Sequence, residues 1–263
     1  MKNVMVYINP SESFGSKEVS KLAEIQIDNS LLLGWESKDI LFYTNFPYSF
    51  RGVEAIVLSG SLYCLYRPLS TKTLTAAYLL SKHLLKEDDV CWVHDLDAFQ
   101  LEKFNVNLDG FVAGFTDYGW RKKWSLGSYF VTNKAVDIFR NLSHTIEMTH
   151  QEDERAMVKL TNENTISGFK KLNITYNFGM RHVKFNYDQA ELPLKVVHFH
   201  PQRRGRAVLD SFMYGKNELG FPLITRQLSK LLMEQGFQWQ EQLFITQVIG
   251  RSLILRGEFR KIW

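Results

Sequence analysis

The sequence predicts an α/β fold, with a mostly parallel central sheet flanked by helices and a helical C-terminal extension. Three observations predict it. Short apolar runs alternate with segments of helical spacing between residues 4 and 97. The last of those runs leads straight into two aspartates. Two further helical patterns, at 228–235 and 240–255, close the chain around Gly236.

The elements follow in order. Residues 4–8 form a short apolar run ended by the turn signal Asn9-Pro10-Ser11. Residues 16–27 place Val19, Leu22 and Ala23 at helical spacing. Two more strands are expected at 39–44 and 54–58. Ser70 is placed to cap a helix whose apolar residues are Leu74, Ala77, Leu80, Leu84 and Leu85. Residues 90–93 form the next strand and meet His94-Asp95-Leu96-Asp97. Beyond the acids the alternation loosens. Helices are expected at 134–142 and 152–160, and strands at 174–178 and 195–199. At 263 residues, with no repeat or linker, the expected organisation is a catalytic domain over 1–206 and a helical extension over 207–263 packed on it.

Cys64 and Cys91 cannot make a disulfide framework, and both are expected to be reduced and buried. The first residues carry no long apolar segment after Lys2, and no run approaches the ~20 apolar residues of a membrane span. The expectation is a soluble, cytoplasmic protein with no membrane partner. The net charge of +4 is uneven. Residues 193–263 hold eleven Lys/Arg against five Asp/Glu, while the rest holds twenty-one against twenty-three. A basic C-terminal quarter suits a nucleotide diphosphate or a nucleic acid. A glycine-rich phosphate loop, GxGxxG, GxSxG, HExxH and CxxC are all absent, which lowers P-loop, dinucleotide, hydrolase and zinc-protease readings.

The chemistry concentrates in DVCWVHDLDAF. Two carboxylates two residues apart, just past an apolar strand, can turn together toward a divalent cation, and hard oxygen donors suit Mn²⁺ or Mg²⁺. Open α/β sheets bind ligands at the carboxyl ends of their strands, where these acids sit. His198 and His200 alternate with apolar residues in KVVHFH and so share a strand face. Arg203, Arg204 and Arg206 follow and offer forked donors to phosphate oxygens.

Asp95-Leu96-Asp97 resembles the DxD motif of the GT-A fold, metal-dependent glycosyltransferases, and WVHDLDAFQ is similar to bacteriophage and bacterial proteins of that class. The resemblance spans roughly residues 1–200. It implies transfer of a sugar from a nucleotide-sugar donor, with Asp95 nearer the donor ribose and Asp97 on the metal. It also implies a late histidine as third metal ligand, His198 or His200. Asp153, or else Glu152, is then the group facing the acceptor hydroxyl. Gly127 and Ser128 would line the donor sugar, and Tyr7, Ile8 and Asn9 the nucleotide base. An acidic base favours inversion while a late histidine is commoner among retaining relatives, so the stereochemistry stays open. A hydroxymethylated base in phage DNA is the acceptor that the basic quarter suggests, with the host cytoplasm as the place. The alternatives are a metal-dependent nucleotidyl- or phosphoryl-transfer enzyme and a non-catalytic nucleic-acid-binding domain.

Overall fold

A computed structural model describes residues 1–83, 89–118, 123–179, 186, 189–191 and 194–198. In chain order the elements are β1 (Lys2–Tyr7), α1 (Lys17–Leu32), β2 (Ile40–Thr44), β3 (Ser49–Phe50), β4 (Val53–Val57) and α2 (Thr71–Ser81). They continue with β5 (Cys91–His94), β6 (Ala98–Gln100), β7 (Ala113–Asp117), β8 (Trp124–Val131), α3 (Val136–Thr149) and α4 (Asp153–Asn162). β9 (Phe169–Leu172), β10 (Phe178–Gly179) and β11 (Val196–His198) complete the set. The segments expected at 228–235 and 240–255, and Leu84 and Leu85, lie outside the described residues.

The chain divides into two compact units. The first carries an eight-stranded sheet in the order β3-β4-β2-β1-β5-β8-β7-β9. β4, β2, β1 and β5 run parallel, so the ends of β1, β2 and β5 place Ile8, Asn45 and Asp95 along one edge. β8 reverses direction and pairs antiparallel with both β5 and β7, which makes the sheet mixed around a parallel block. Its core joins Val4, Val93, Phe115 and Tyr129 to Leu79, Leu80, Phe139, Leu142 and Met157 of the three helices. Gly114 on β7 lets Leu172 and Leu108 pack close: an added Cβ would come within 2.8 Å of Leu172 Cδ1 and 2.9 Å of Leu108 Cδ2, so those side chains would have to shift. Cys64 and Cys91 are free and buried as expected, and burial pushes the Cys91 thiol up to about 12, which keeps it unreactive.

The second unit holds α1, β6 and the residues described from Asn173 onward. β11 lies between β10, parallel, and β6, antiparallel. Trp35 Nε1 donates to Gln100 Oε1 at 2.7 Å, and Asn29 Nδ2 donates to the Gln100 carbonyl at 2.9 Å, tying the helix to β6.

Two expectations need correcting. Ser70 does not cap α2 with its side chain. Pro68-Leu69-Ser70 enter the helix as a 3-10 turn that puts Ser70 in the helical region, whereas a capping residue is extended. The strand expected at 174–178 is a 3-10 turn at Ile174–Tyr176 followed by two strand residues. Asn173 starts that turn by accepting the Thr175 N–H on its side chain, the local competition that makes asparagine a turn residue.

Candidate active site

β5 delivers its carboxyl end through a set of buried polar contacts. His94 is fully buried and stacks on Trp92 with ring centroids 3.8 Å apart. Its Nε2 lies 2.7 Å from Asn3 Oδ1 and its Nδ1 2.9 Å from the Asp95 carbonyl. The Asp95 N–H donates to the Gly127 carbonyl at 2.9 Å. Lys72 of α2, only 6% exposed, donates at 2.5 Å to Asp95 Oδ1 and at 2.5 Å to the Leu126 carbonyl. A buried ammonium is tolerated only when paired and hydrogen-bonded, and Lys72 meets both conditions. Asp95 is therefore held by its backbone and its carboxylate together.

In the second unit, Asp97 immediately precedes β6. Gln26 of α1 donates to the carbonyls on either side of it, Leu96 at 3.0 Å and Ala98 at 2.8 Å, which fixes the backbone carrying the carboxylate. His198 is the last residue of β11 and pairs with Ala98 in register. Its Nε2 lies 3.1 Å from Asp97 Oδ1, and its Nδ1 lies 3.0 Å from Asn177 Oδ1. When Asn177 accepts the Nδ1 proton, Nε2 faces the Asp97 carboxylate as a lone pair facing an acceptor. Such a contact requires a proton or a cation shared between them. An imidazole oriented from behind by an amide oxygen, beside a carboxylate, is a donor set that fits a divalent metal.

Asp153 begins α4 in the first unit. Its N–H donates to Ser70 Oγ at 3.1 Å, its Oδ2 accepts from Thr73 Oγ1 at 2.7 Å, and its Oδ1 accepts from the Glu154 N–H at 2.9 Å. Burial raises its carboxyl to about 6, against the lowering effects of the Lys72 charge and the Thr73 hydrogen bond. A carboxyl that titrates there can hold or release a proton near neutral pH. Glu152 is the partly exposed residue ahead of the helix and makes no side-chain cap.

The remaining expected residues fall as follows. Tyr7 donates to the Phe14 carbonyl at 2.8 Å and accepts from Asn9 Nδ2 at 2.9 Å. The Asn9 N–H and carbonyl are both engaged by the Asn45 amide, so Tyr7, Ile8 and Asn9 form a braced strand end. Gly127 serves through the carbonyl that binds Asp95. Ser128 is fully buried, and its hydroxyl accepts from Trp92 Nε1 at 2.8 Å inside the sheet. His200, Arg203, Arg204 and Arg206 lie outside the described residues. The structure thus joins Asp97 to His198, and Asp95 to Lys72. Sequence reasoning missed Lys72, Asn177, Gln26 and Thr73, whose partners lie 23, 21, 70 and 80 positions away.

An α/β sheet with a parallel block whose carboxyl edge ends at Asp95 matches the GT-A fold of solved glycosyltransferases. Among solved structures, the chain is similar to the glycosyltransferase GlyE of Streptococcus pneumoniae TIGR4, with a TM-score of 0.55 and 14% identity over 99% of this chain. It spans only 64% of the length of that protein. It is also similar to the galactosyltransferase LgtC, solved with donor and acceptor sugar analogues, with a TM-score of 0.53 and 12% identity over 94% of this chain and 100% of that one. At these identities the likeness shows the fold. No protein-family model and no curated protein matches the sequence.

Proposed function

We propose that the chain is a metal-dependent glycosyltransferase that moves a sugar from a nucleotide-sugar donor to an acceptor hydroxyl. The observation that carries this is the Asp97–His198 contact of 3.1 Å, with the His198 ring backed by Asn177. Asp95, Asp97 and His198 would hold a Mn²⁺ or Mg²⁺ ion. When bound, the metal supplies positive charge to the diphosphate leaving group.

In the reaction the bond from the anomeric carbon to the phosphate oxygen breaks. The acceptor oxygen forms the new bond to that carbon, and the nucleoside diphosphate leaves. Asp153 takes the acceptor proton, a role that its carboxyl at about 6 suits. Lys72 holds the Asp95 carboxylate in place. Tyr7, Ile8 and Asn9 stand on the side of the nucleotide base, with the Gly127 backbone on the side of the sugar. Arg203, Arg204 and Arg206 would add donors to the phosphates, within a catalytic domain ending near residue 206. Among the described residues no helix is long and apolar enough to cross a membrane.

The test is nucleotide-sugar turnover with and without Mn²⁺, read by product. Release of nucleoside diphosphate supports glycosyl transfer. Release of pyrophosphate, or turnover that ignores the metal, contradicts it. The DNA acceptor rests on the charge of residues outside the described ones and on WVHDLDAFQ. It fails if duplex containing 5-hydroxymethylated bases leaves sugar transfer unchanged.

A further inference from the structure

The segment leading into α2 is stitched to the segment between α3 and α4. Arg67 Nε donates to the His150 carbonyl at 2.9 Å, and the Asp153 N–H donates to Ser70 Oγ at 3.1 Å. At one end of this seam lies the Asp153 carboxyl. At the other the Tyr66 ring stacks face-on against His150, with centroids 3.9 Å apart and planes 12° from parallel. His150 closes α3 in the left-handed conformation, with φ of 52°, which turns its ring out of the helix to meet Tyr66.

This pair stays open to solvent. Tyr66 is 56% exposed, and it stands between Leu65 at 78% and Leu69 at 81%, with Met148 at 71% on the last turn of α3. An exposed stacked aromatic face, with exposed Leu65 and Leu69 close by in the chain, is not needed for the core. It is prepaid in conformational entropy, because His150 and the Arg67 contact already fix the segment. The segment also leaves the carboxyl end of β4, which runs parallel to β5 through β2 and β1, so it belongs to the sheet edge that carries Asp95.

Resting on the glycosyltransferase reading, we propose that Tyr66, backed by His150, is the platform of the acceptor subsite, and that the acceptor is a glycoside with an apolar aglycone. The C–H face of a pyranose lies flat on the electron-rich face of a tyrosine ring. Arg67 stands at the rim to donate to sugar hydroxyls, and Leu65 and Leu69 cover the aglycone. Charge argues against a nucleic-acid acceptor at this place. The seam runs into Glu152, Asp153 and Glu154, three successive acids against the two arginines Arg67 and Arg155, whereas binding a polyphosphate backbone needs an excess of cations.

The experiment is calorimetric titration of octyl β-glucoside, octyl β-galactoside and octyl β-lactoside, below their micelle concentrations, together with a 5-hydroxymethylcytosine duplex. The expected result is that wild type binds at least one glycoside. Tyr66→Ala weakens it about tenfold, the ratio for a stacking contact at the upper end of its usual range. Tyr66→Leu, which keeps an apolar side chain against His150, weakens it as much. Tyr66→Phe retains binding within about twofold, and Phe111→Ala, at an exposed phenylalanine elsewhere on the unit, binds as wild type does. The proposal is overturned if no glycoside binds, if Tyr66→Leu binds like wild type, or if only the duplex binding depends on Tyr66. A thermal-shift screen of nucleotide-sugars with Mn²⁺ on wild type reads the donor side separately. Glycoside binding that depends on Tyr66 without any donor binding would defeat the glycosyltransferase reading and leave the glycan platform standing.

Discussion

Lys72 Nζ lies 2.5 Å from Asp95 Oδ1 and shares its single charge with the buried Asp153 carboxyl, whose ionised form it favours. One ammonium therefore serves the strand-end acid and the acid of α4. Lys72→Met should remove the ammonium that donates to both the Leu126 carbonyl and the Asp95 carboxylate. The expected destabilisation is about 1–3 kcal/mol, less than for a fully buried pair because the Asp95 side chain is 37% exposed. Chemical denaturation of the two proteins measures it. The acid limb of the transfer rate should also move to higher pH in Lys72→Met, since the charge that lowers the Asp153 carboxyl is gone.

Asp153 itself makes stability depend on pH. Its folded value, about 6, lies above its ordinary value of 3.8. Between those values the native state holds the proton that the unfolded chain has released, so stability falls as pH rises through this window and levels off above it. The size is about 3 kcal/mol by linkage for two units or so. Asp153→Asn should remove this slope, which thermal melts of both proteins between pH 4 and 7 will show. Transfer by wild type should weaken on the acid side of pH 6, where the carboxyl is protonated.

Asn177 orients the His198 ring from behind, at 3.0 Å. Asn177→Ala should free the imidazole to rotate and lower metal affinity about 10–100-fold, the usual effect of removing such a support. Titration of Mn²⁺ followed by electron paramagnetic resonance measures it. Unchanged affinity would mean that His198 is not a ligand.

Ser128 separates a core role from a sugar-binding role. Its hydroxyl accepts from Trp92 Nε1 at 2.8 Å, with both residues fully buried. Ser128→Ala should orphan the indole N–H and cost about 1–3 kcal/mol of stability. Donor KM should stay near wild type, and a KM raised tenfold with stability intact would assign Ser128 to the donor sugar.

Much of the fold was legible because the parallel strands are short apolar runs with sharp ends. β5 and its acids show this best, since the run stops where Asp95 begins. β8 was illegible for a physical reason. All eight of its residues are buried, Ser125, Gly127 and Ser128 included, so neither alternation nor a continuous apolar run marks it. β6 has only three residues and forms through α1 and β11, contacts that no local pattern encodes. In the site, His198 and His200 stood out together by residue type and strand alternation, and the structure brings His198 beside Asp97. Lys72 did not stand out, because a lysine within a run of Ser and Thr reads as a solvated helix start until Asp95 and Leu126 are seen around it. Asn177 fell where a strand was expected, and its role appears only once β11 brings His198 beside it.

The most direct test is Mn²⁺-dependent binding of nucleotide-sugars by wild type and Asp97→Asn, followed by calorimetry. The account predicts that at least one nucleotide-sugar binds wild type only with Mn²⁺ present, and that Asp97→Asn loses about 100-fold or more in that affinity while melting as wild type does. Equal binding by the two proteins, or binding indifferent to Mn²⁺, would contradict it.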